Sequence, residues 1–364
     1  MRIHLVTDQF NLGGGIEHIY QVVKGLKDTR FGIFGQPGPA VEKFAHLENA
    51  EIHDNGFDSR YVMEKSPDLV HFHHLRPMVS FFKNPFRRWR VPVIFTAHGL
   101  HIHKYEFYDS IAAKIKYFLR FHLEKHVLPK PDRIIAVSRE DNRFMEERYK
   151  LQNVTYLTNG IDFSAVTAGN DQSKEELRKR LELPVGEFLF VTVARFNFQK
   201  GYDILIKAIS RVKEVLEKIP CRFVFVGDGE EFEAMKQLSR DLKVSQYIIF
   251  MGSRTDVYDI LPAGDVCLLS SRWEGLPIVL LETGLLKVPV IASDTYGNRE
   301  IVKETNGILF KNRDVDALAK AIINVLNGKH ELPGYAESMY REVRENYSLE
   351  KMLSGLREIY NVFK

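Results

Sequence analysis

The chain has 364 residues, 45% of them apolar and 27% charged, with a formal net charge of +3. That is too long for one small core and fits two domains of ordinary soluble composition. Nothing in the overall balance asks for nucleic acid as a partner.

The N-terminus, Met1-Arg2-Ile3-His4-Leu5-Val6, enters directly into a strand pattern without the apolar region of a signal peptide. No run approaches the ~18–20 apolar residues of a membrane span. Short apolar strands alternate with helical patterns throughout, which implies parallel sheets with helices on both faces. In the first half, strands are expected at 3–7, 30–34, 69–72, 93–96, 133–137 and 155–157, and helices near 16–27, 111–128 and 140–149. Gly13-Gly14-Gly15 follows the first strand and opens the first helix. Glycines there let a backbone approach a ligand closely or adopt positive φ; the plain alternative is a flexible turn. The Gly-x-Gly-x-x-Gly spacing of a dinucleotide site is absent.

Twelve of the thirteen histidines precede residue 127, among them His71, His73, His74, His98, His101 and His103. Some form pairs of metal-ligand type. A catalytic zinc site adds an ordered third ligand and an acid, as in His-Glu-x-x-His on a helix. No such spacing occurs, so no metal site is expected. His98, in Phe95-Thr96-Ala97-His98-Gly99, ends a strand. It is read either as a hydrogen-bond partner of substrate or as a structural histidine.

Residues 81–133 carry eleven Lys/Arg against four acids. Lys114, Lys116, Arg120 and Lys125 alternate with Tyr117, Phe118, Leu119, Phe121 and Leu123, and Phe81-Phe82 and Phe86-Arg87-Arg88-Trp89-Arg90 lie upstream. The pattern suits a helix lying on an anionic membrane surface. It equally suits a packed helix with solvated charges. A nucleic-acid groove has no motif here.

Asn159-Gly160-Ile161-Asp162 is a turn, followed by a polar linker entering a helix near 173–183. The strand–helix rhythm then restarts, with strands at 188–194, 222–226, 248–251, 265–269, 290–292 and 307–310. Helices are expected near 202–216, 231–242, 257–261, 276–286 and 314–327, with one more at 348–362. Cys221 and Cys267 sit in apolar strand runs, which reads as two small buried hydrophobes and favours a reducing compartment. Two doubly wound α/β domains facing each other across a cleft are the economical architecture, with ligands outside the carboxyl ends of the strands.

Arg195 and Lys200 flank a loop, Arg195-Phe196-Asn197-Phe198-Gln199-Lys200-Gly201, between a strand and a helix. There they face the ligand end of a parallel sheet and suit a phosphate; the alternative is two solvated charges. Glu274 and Glu282 bracket an almost wholly apolar segment, with no Lys or Arg between them. Pro277 is expected in the first turn of that helix. A helix apolar on every side is normally buried, and a buried carboxylate needs a polar partner. A hydroxyl-rich ligand such as a nucleotide sugar is the natural candidate. The N–H groups of Gly275, Leu276 and Ile278 open the same helix, and helix mouths attract phosphate. Asp314-Val315-Asp316 begins a helix and is read as an N-cap rather than a metal triplet.

Together these motifs resemble the retaining nucleotide-sugar glycosyltransferases of family 4, which have the GT-B fold of two Rossmann-like domains. The likeness is strongest through Val193-Ala194-Arg195, Lys200-Gly201, Phe225-Val226-Gly227-Asp228-Gly229, Phe250-Met251-Gly252 and Ser271-Arg272-Trp273-Glu274-Gly275-Leu276-Pro277 with Glu282. It implies an acceptor-binding domain at 1–165, a nucleotide-sugar domain at 166–346 and a C-terminal helix, 347–364, packing on the first. It further implies that Arg195 and Lys200 bind the donor diphosphate, Glu274 the transferred sugar and Glu282 the ribose. Backbone at Met251 and Gly252 would meet the base, Gly14 and Gly15 the donor phosphates, and His98 the sugar. No cofactor or metal is implied beyond the donor itself, with UDP favoured. The acceptor would be a lipid-linked or cell-envelope glycan, and the location the cytoplasm, including the inner face of the cytoplasmic membrane. A nucleotide-sugar epimerase, a sugar phosphorylase or an inactive nucleotide-sugar binder remain alternatives. One departure is at Tyr296-Gly297-Asn298-Arg299-Glu300-Ile301-Val302, which carries one of the two glycines often present in the family.

Overall fold

The computed structural model describes residues 1–83, 91–107, 110–164 and 172–364. The run Phe86 to Arg90, the expected boundary at 165/166 and the His101 side chain lie outside the described residues. The chain divides into two units, residues 1–160 with 349–364, and residues 161–348.

In the first unit the apolar runs form seven strands: β1 (Arg2–Gln9), β2 (Arg30–Gln36), β3 (Ala50–His53), β4 (Leu69–Phe72), β5 (Val93–Ala97), β6 (Arg133–Ala136) and β7 (Val154–Tyr156). All neighbours pair in parallel, in the order β3-β2-β1-β4-β5-β6-β7. The order reverses between β1 and β4, the place where such a sheet takes its ligand. Helix Gly14–Gly25 leaves β1 at this point.

The C-terminal helix, Leu349–Asn361, belongs to this unit. Its Leu349, Met352, Leu356 and Tyr360 recur at helical spacing and bury into the same core as Ile3, Leu5 and Ile19. The Tyr360 hydroxyl lies 2.8 Å from His71 Nδ1 on β4, and His71 Nε2 lies 2.7 Å from the Thr96 hydroxyl.

In the second unit six strands, β8 (Phe188–Val193), β9 (Cys221–Val226), β10 (Ile248–Gly252), β11 (Val266–Leu269), β12 (Val290–Ser293) and β13 (Ile308–Phe310), run parallel in the order β10-β9-β8-β11-β12-β13. Here the order reverses between β8 and β11. Both cysteines are buried and free. Asp314 caps helix Val315–Leu326, accepting from the Ala317 N–H at 2.9 Å.

Several elements differ from the pattern-based expectation. Strand β3 is short and half polar, and helix Ser59–Glu64 is a single capped piece. Helix Leu332–Asn346 contains Pro333 and Gly334, which look like breakers in the sequence. The proline sits in its first turn, where no N–H is required, and Glu331 caps it. The expected helix 202–216 is two pieces, Tyr202–Arg211 and Lys213–Leu216. The glutamate-bracketed helix is Ile278–Leu285, with Pro277 at the N-cap rather than inside the first turn.

Candidate active site

The loops leaving β8 and β11 occupy the second unit's switch point, and they are laced together. Phe196 and Tyr202 stack 3.8 Å apart in the core, and the Tyr202 hydroxyl donates to the Ala194 carbonyl at 2.9 Å. Asn197 accepts from the Lys200 N–H and holds a 3-10 turn, Phe198–Lys200. Gly201 follows at φ +65°, and a Cβ there would stand 2.3 Å from the Ser270 carbonyl oxygen. Only glycine combines that dihedral with that approach.

From the other side, the Ser270 hydroxyl lies 3.0 Å from the carbonyls of both Lys200 and Gly201. The Arg272 N–H donates to the Gln199 carbonyl at 2.7 Å, and the Gln199 amide donates to the Trp273 carbonyl at 2.9 Å. The buried Arg272 guanidinium donates to the Phe198 carbonyl at 2.6 Å and to Asp203 at 2.9 Å, and lies 4.0 Å above the Phe198 ring.

This lacing delivers Lys200 to Glu274. The ammonium donates to the carboxylate at 2.5 Å, the Ser271 hydroxyl donates to the same oxygen at 2.6 Å, and Gln199 donates to the other at 3.4 Å. The Glu274 side chain is only 6% exposed and Lys200 19%. The partner that Glu274 requires is therefore in the protein itself, on a loop 74 residues upstream, and not solely in a ligand.

Arg195 is held differently. It pairs with Glu230 at 3.3 Å, both side chains being more than half exposed. An exposed pair of this kind is worth roughly 0–1 kcal/mol, while breaking a buried one by removing a partner costs roughly 3–5 kcal/mol. Arg195 is free to change partner at little cost. Lys200 is fixed.

Three further elements buttress the loops. Gly227 (φ +138°) would place a Cβ 2.0 Å from the Ala194 carbonyl oxygen. Its N–H donates to Gly252 at the end of β10, at 2.8 Å, which ties Met251 and Gly252 to the same end of the sheet. Gly297, opening helix Tyr296–Ile301, would place a Cβ 2.1 Å from the Gly275 carbonyl oxygen and 2.7 Å from that of Glu274. The fully buried Asn298 donates to Ser293, whose hydroxyl donates to the Ser271 carbonyl at 2.5 Å. The glycine at 297 is thus a packing requirement of the Glu274 loop.

Gly275 and Leu276 are buried beside that glutamate, while Ile278 and Glu282 are half-buried. Burial chiefly pushes the Cys267 thiol up to about 11, and the neighbouring Glu282 charge adds to it.

In the first unit, Gly14 and Gly15 start the helix at the β1–β4 switch, and His98 follows β5. A Cβ on Gly15 would meet His98 at 3.7 Å and His74 at 3.8 Å, ordinary contacts. Nothing in the unit's own packing there demands a glycine. His73 Nδ1 lies 3.0 Å from His98 Nε2, and His18 Nδ1 lies 3.0 Å from Asn159 Oδ1. Burial holds His71, His73 and His98 well below the usual imidazole value and His18 at about 4, so all four are neutral near pH 7. Sequence reading picked out His98 and missed His18, whose only signal was its position one turn after the glycines.

Residues 173–346 match the family model of glycosyl transferases group 1, and residues 41–165 match that of Glycosyltransferase Family 4. TuaC of Bacillus subtilis, a glycosyltransferase named for teichuronic acid biosynthesis, is 30% identical over 296 residues, 81% of this chain and 70% of TuaC. The chain belongs to the family 4 glycosyltransferases. An Escherichia coli UDP-Gal:α-D-GlcNAc-diphosphoundecaprenol α-1,3-galactosyltransferase is 27% identical over 83% of this chain and 77% of its own length. HepE from Anabaena, solved with UDP and with UDP-glucose, superposes with a TM-score of 0.80 at 18% identity over 100% of both chains. WaaG, a glycosyltransferase involved in lipopolysaccharide biosynthesis, gives 0.79 at 15% identity, covering 98% of this chain and 99% of WaaG. The fold is GT-B, as the sequence motifs imply, and this glycosyltransferase uses a nucleotide sugar.

Replacing Gly297 with alanine pushes the 274–275 backbone away from Lys200. Donor affinity measured by calorimetry is expected to fall at least about tenfold, equivalent to ~1.4 kcal/mol, in a variant that still unfolds cooperatively. Unchanged affinity would show that the 274–275 loop does not contact the donor.

Proposed function

We propose that this glycosyltransferase moves a hexose or N-acetylhexosamine from a UDP-sugar to a hydroxyl of a lipid-linked or cell-envelope glycan, with retention at the anomeric carbon. The observation that carries the proposal is the part-buried Lys200–Glu274 pair at the β8–β11 switch point, with the weakly held Arg195 beside it. UDP is favoured by the complexes of HepE and by the donor named for the Escherichia coli relative. That relative's diphosphoundecaprenol acceptor supports a lipid-linked one here.

The bond from the anomeric carbon to the diphosphate oxygen breaks, and negative charge grows on the diphosphate. Lys200 and the N-terminus of helix Ile278–Leu285 meet that charge in place, and Arg195 joins them by leaving Glu230. The proposal therefore assigns no metal to the diphosphate. Glu274, held by Lys200 and Ser271, orients the hydroxyls of the transferred sugar. The acceptor oxygen attacks from the face of departure, and its proton passes to the leaving oxygen. Glu282, half-buried on the same helix, takes the ribose, and backbone at Met251 and Gly252 takes the base. Gly14, Gly15 and His98, at the ligand end of the first sheet, are assigned to ligand contact.

The experiment is steady-state kinetics with a UDP-sugar. Lys200→Ala is expected to lower kcat about a hundredfold, the magnitude of losing one preorganised charge contact. Glu282→Ala is expected chiefly to raise the donor KM. Wild-type kcat and KM in both variants would sink the assignment.

Helix Ile111–Val127 supplies the membrane side of the proposal. It is capped by Ser110 and turns an acid inward. Glu124 is 2% exposed, accepts from the Tyr149 hydroxyl at 2.6 Å and pairs with Arg120. Outward it presents Ile111 (80% exposed), Ile115 (54%), Phe118 (61%) and Leu119 (61%), with Lys114, Lys116 and Lys125 among them. Soluble surfaces rarely keep such a patch without a use, and apolar side chains ringed by lysine fit an anionic bilayer surface. Among the described residues no helix is long and apolar enough to cross a membrane, so the contact is peripheral, and we place it at the inner face of the cytoplasmic membrane. Co-sedimentation with phosphatidylglycerol vesicles is expected to weaken with added salt and to be lost in the Phe118→Ser/Leu119→Ser variant. Equal pelleting of that variant, or none of the wild type, would refute the contact.

A further inference from the structure

The histidines of the first unit hold a second arrangement, which shares only His98 with the proposed sugar transfer. His18 lies on helix Gly14–Gly25, His73 follows β4, and His98 follows β5. One ring nitrogen of each lies within 4.8 Å of those of the other two. His18 and His73 are buried, at 5% and 2% exposure.

The tautomer of His18 is set from outside the cluster, whereas His73 Nδ1 and His98 Nε2 share one proton across 3.0 Å. A side-chain amide oxygen only accepts, so His18 Nδ1, at 3.0 Å from Asn159 Oδ1, carries the proton. Its Nε2 is then a bare lone pair, and that atom is buried without a hydrogen-bond partner. His73 Nε2 is likewise buried without one. Unpaired buried polar atoms are rare because they are costly. Two of them on neighbouring imidazoles, beside a third ring, with His18 Nε2 a lone pair, suit an electron-pair acceptor that would take up the cluster's nitrogens.

We propose that His18, His73 and His98 form a binding site for one divalent transition metal, zinc or a similarly borderline cation. His18, whose far nitrogen is tied to the Asn159 amide oxygen, is oriented as a metal ligand is, with an outer partner fixing its tautomer. Three nitrogens leave a fourth position for water, and the partly exposed His98 gives it a route to solvent. Nitrogen donors discriminate against Mg²⁺ and Ca²⁺, which take oxygen. Metal held by His98 withdraws that residue from ligand contact, so occupancy would slow sugar transfer rather than drive it. Binding itself is measured without transfer, so its failure is distinguishable from failure of the proposed reaction.

The test uses the full chain, stripped with chelator and titrated calorimetrically with Zn²⁺, and with Co²⁺ followed by its visible absorption. One Zn²⁺ per chain is expected, with no event for Mg²⁺. His18→Ala and His73→Ala should lose it, while His46→Ala and His330→Ala should keep it. Asn159→Asp should tighten it about tenfold, since a carboxylate makes the ligand imidazole more basic, an effect that a merely structural Asn159 would not produce. Absence of a stoichiometric Zn²⁺ event in the wild type overturns the proposal, even if the histidine variants do not fold. So does binding that survives in a folded His18→Ala variant, or equal binding of Mg²⁺. Such results would leave the bare nitrogens to ordered water.

Discussion

Everything in the second unit's candidate active site hangs on two loops that cannot move independently. The β8 loop and the β11 loop share hydrogen bonds through Ser270, Arg272 and Gln199, and the close approach at Gly201 leaves no room for slack. The part-buried ion pair between Lys200 and Glu274 closes the arrangement. A lone ammonium or carboxylate in that position would be costly to bury, and each is tolerable because the other is there. The same pairing keeps a positive charge and a negative charge side by side at the carboxyl end of a parallel sheet. Under the proposed function the positive charge serves phosphate and the negative charge serves sugar hydroxyls.

The supporting elements are there to hold that geometry. Gly227 lets the β9 loop pass under Ala194, and Gly297 lets helix Tyr296–Ile301 rest against Glu274 and Gly275. Neither glycine is assigned to the proposed chemistry, yet a methyl at either site displaces the backbone of, or next to, a residue that is. The first unit uses a different device. Its switch point is lined by neutral histidines held by burial, with Asn159 and Tyr360 fixing two of them from the end of the unit and the C-terminal helix.

Much of this was legible in the residues. The strand–helix rhythm placed most of the strands, and Arg195, Lys200 and Glu274 stand on the two loops that flank the chain reversal, as their position between strand and helix implied. What pattern could not supply was contact across distance. Glu274 looked unpaired because its cation lies 74 residues away. The gathering of His18 with His73 and His98 depends on β1, β4 and β5 being neighbours, which periodicity does not reveal. Helix Leu332–Asn346 was hidden by a proline and glycine that belong to its first turn. The inward turn of Glu124 on helix Ile111–Val127 depends on Tyr149, a residue outside the helix.

A double-mutant cycle on donor binding tests the central interaction most directly. Lys200→Met, Glu274→Gln and the double variant are titrated calorimetrically with the same UDP-sugar. If the pair acts as one unit, either single change costs nearly as much as both, and the coupling amounts to at least ~1.4 kcal/mol, a factor of ten in affinity. Losses that add to within about 0.5 kcal/mol would mean that the two side chains meet the donor separately, and that their contact in the folded chain does not organise the site.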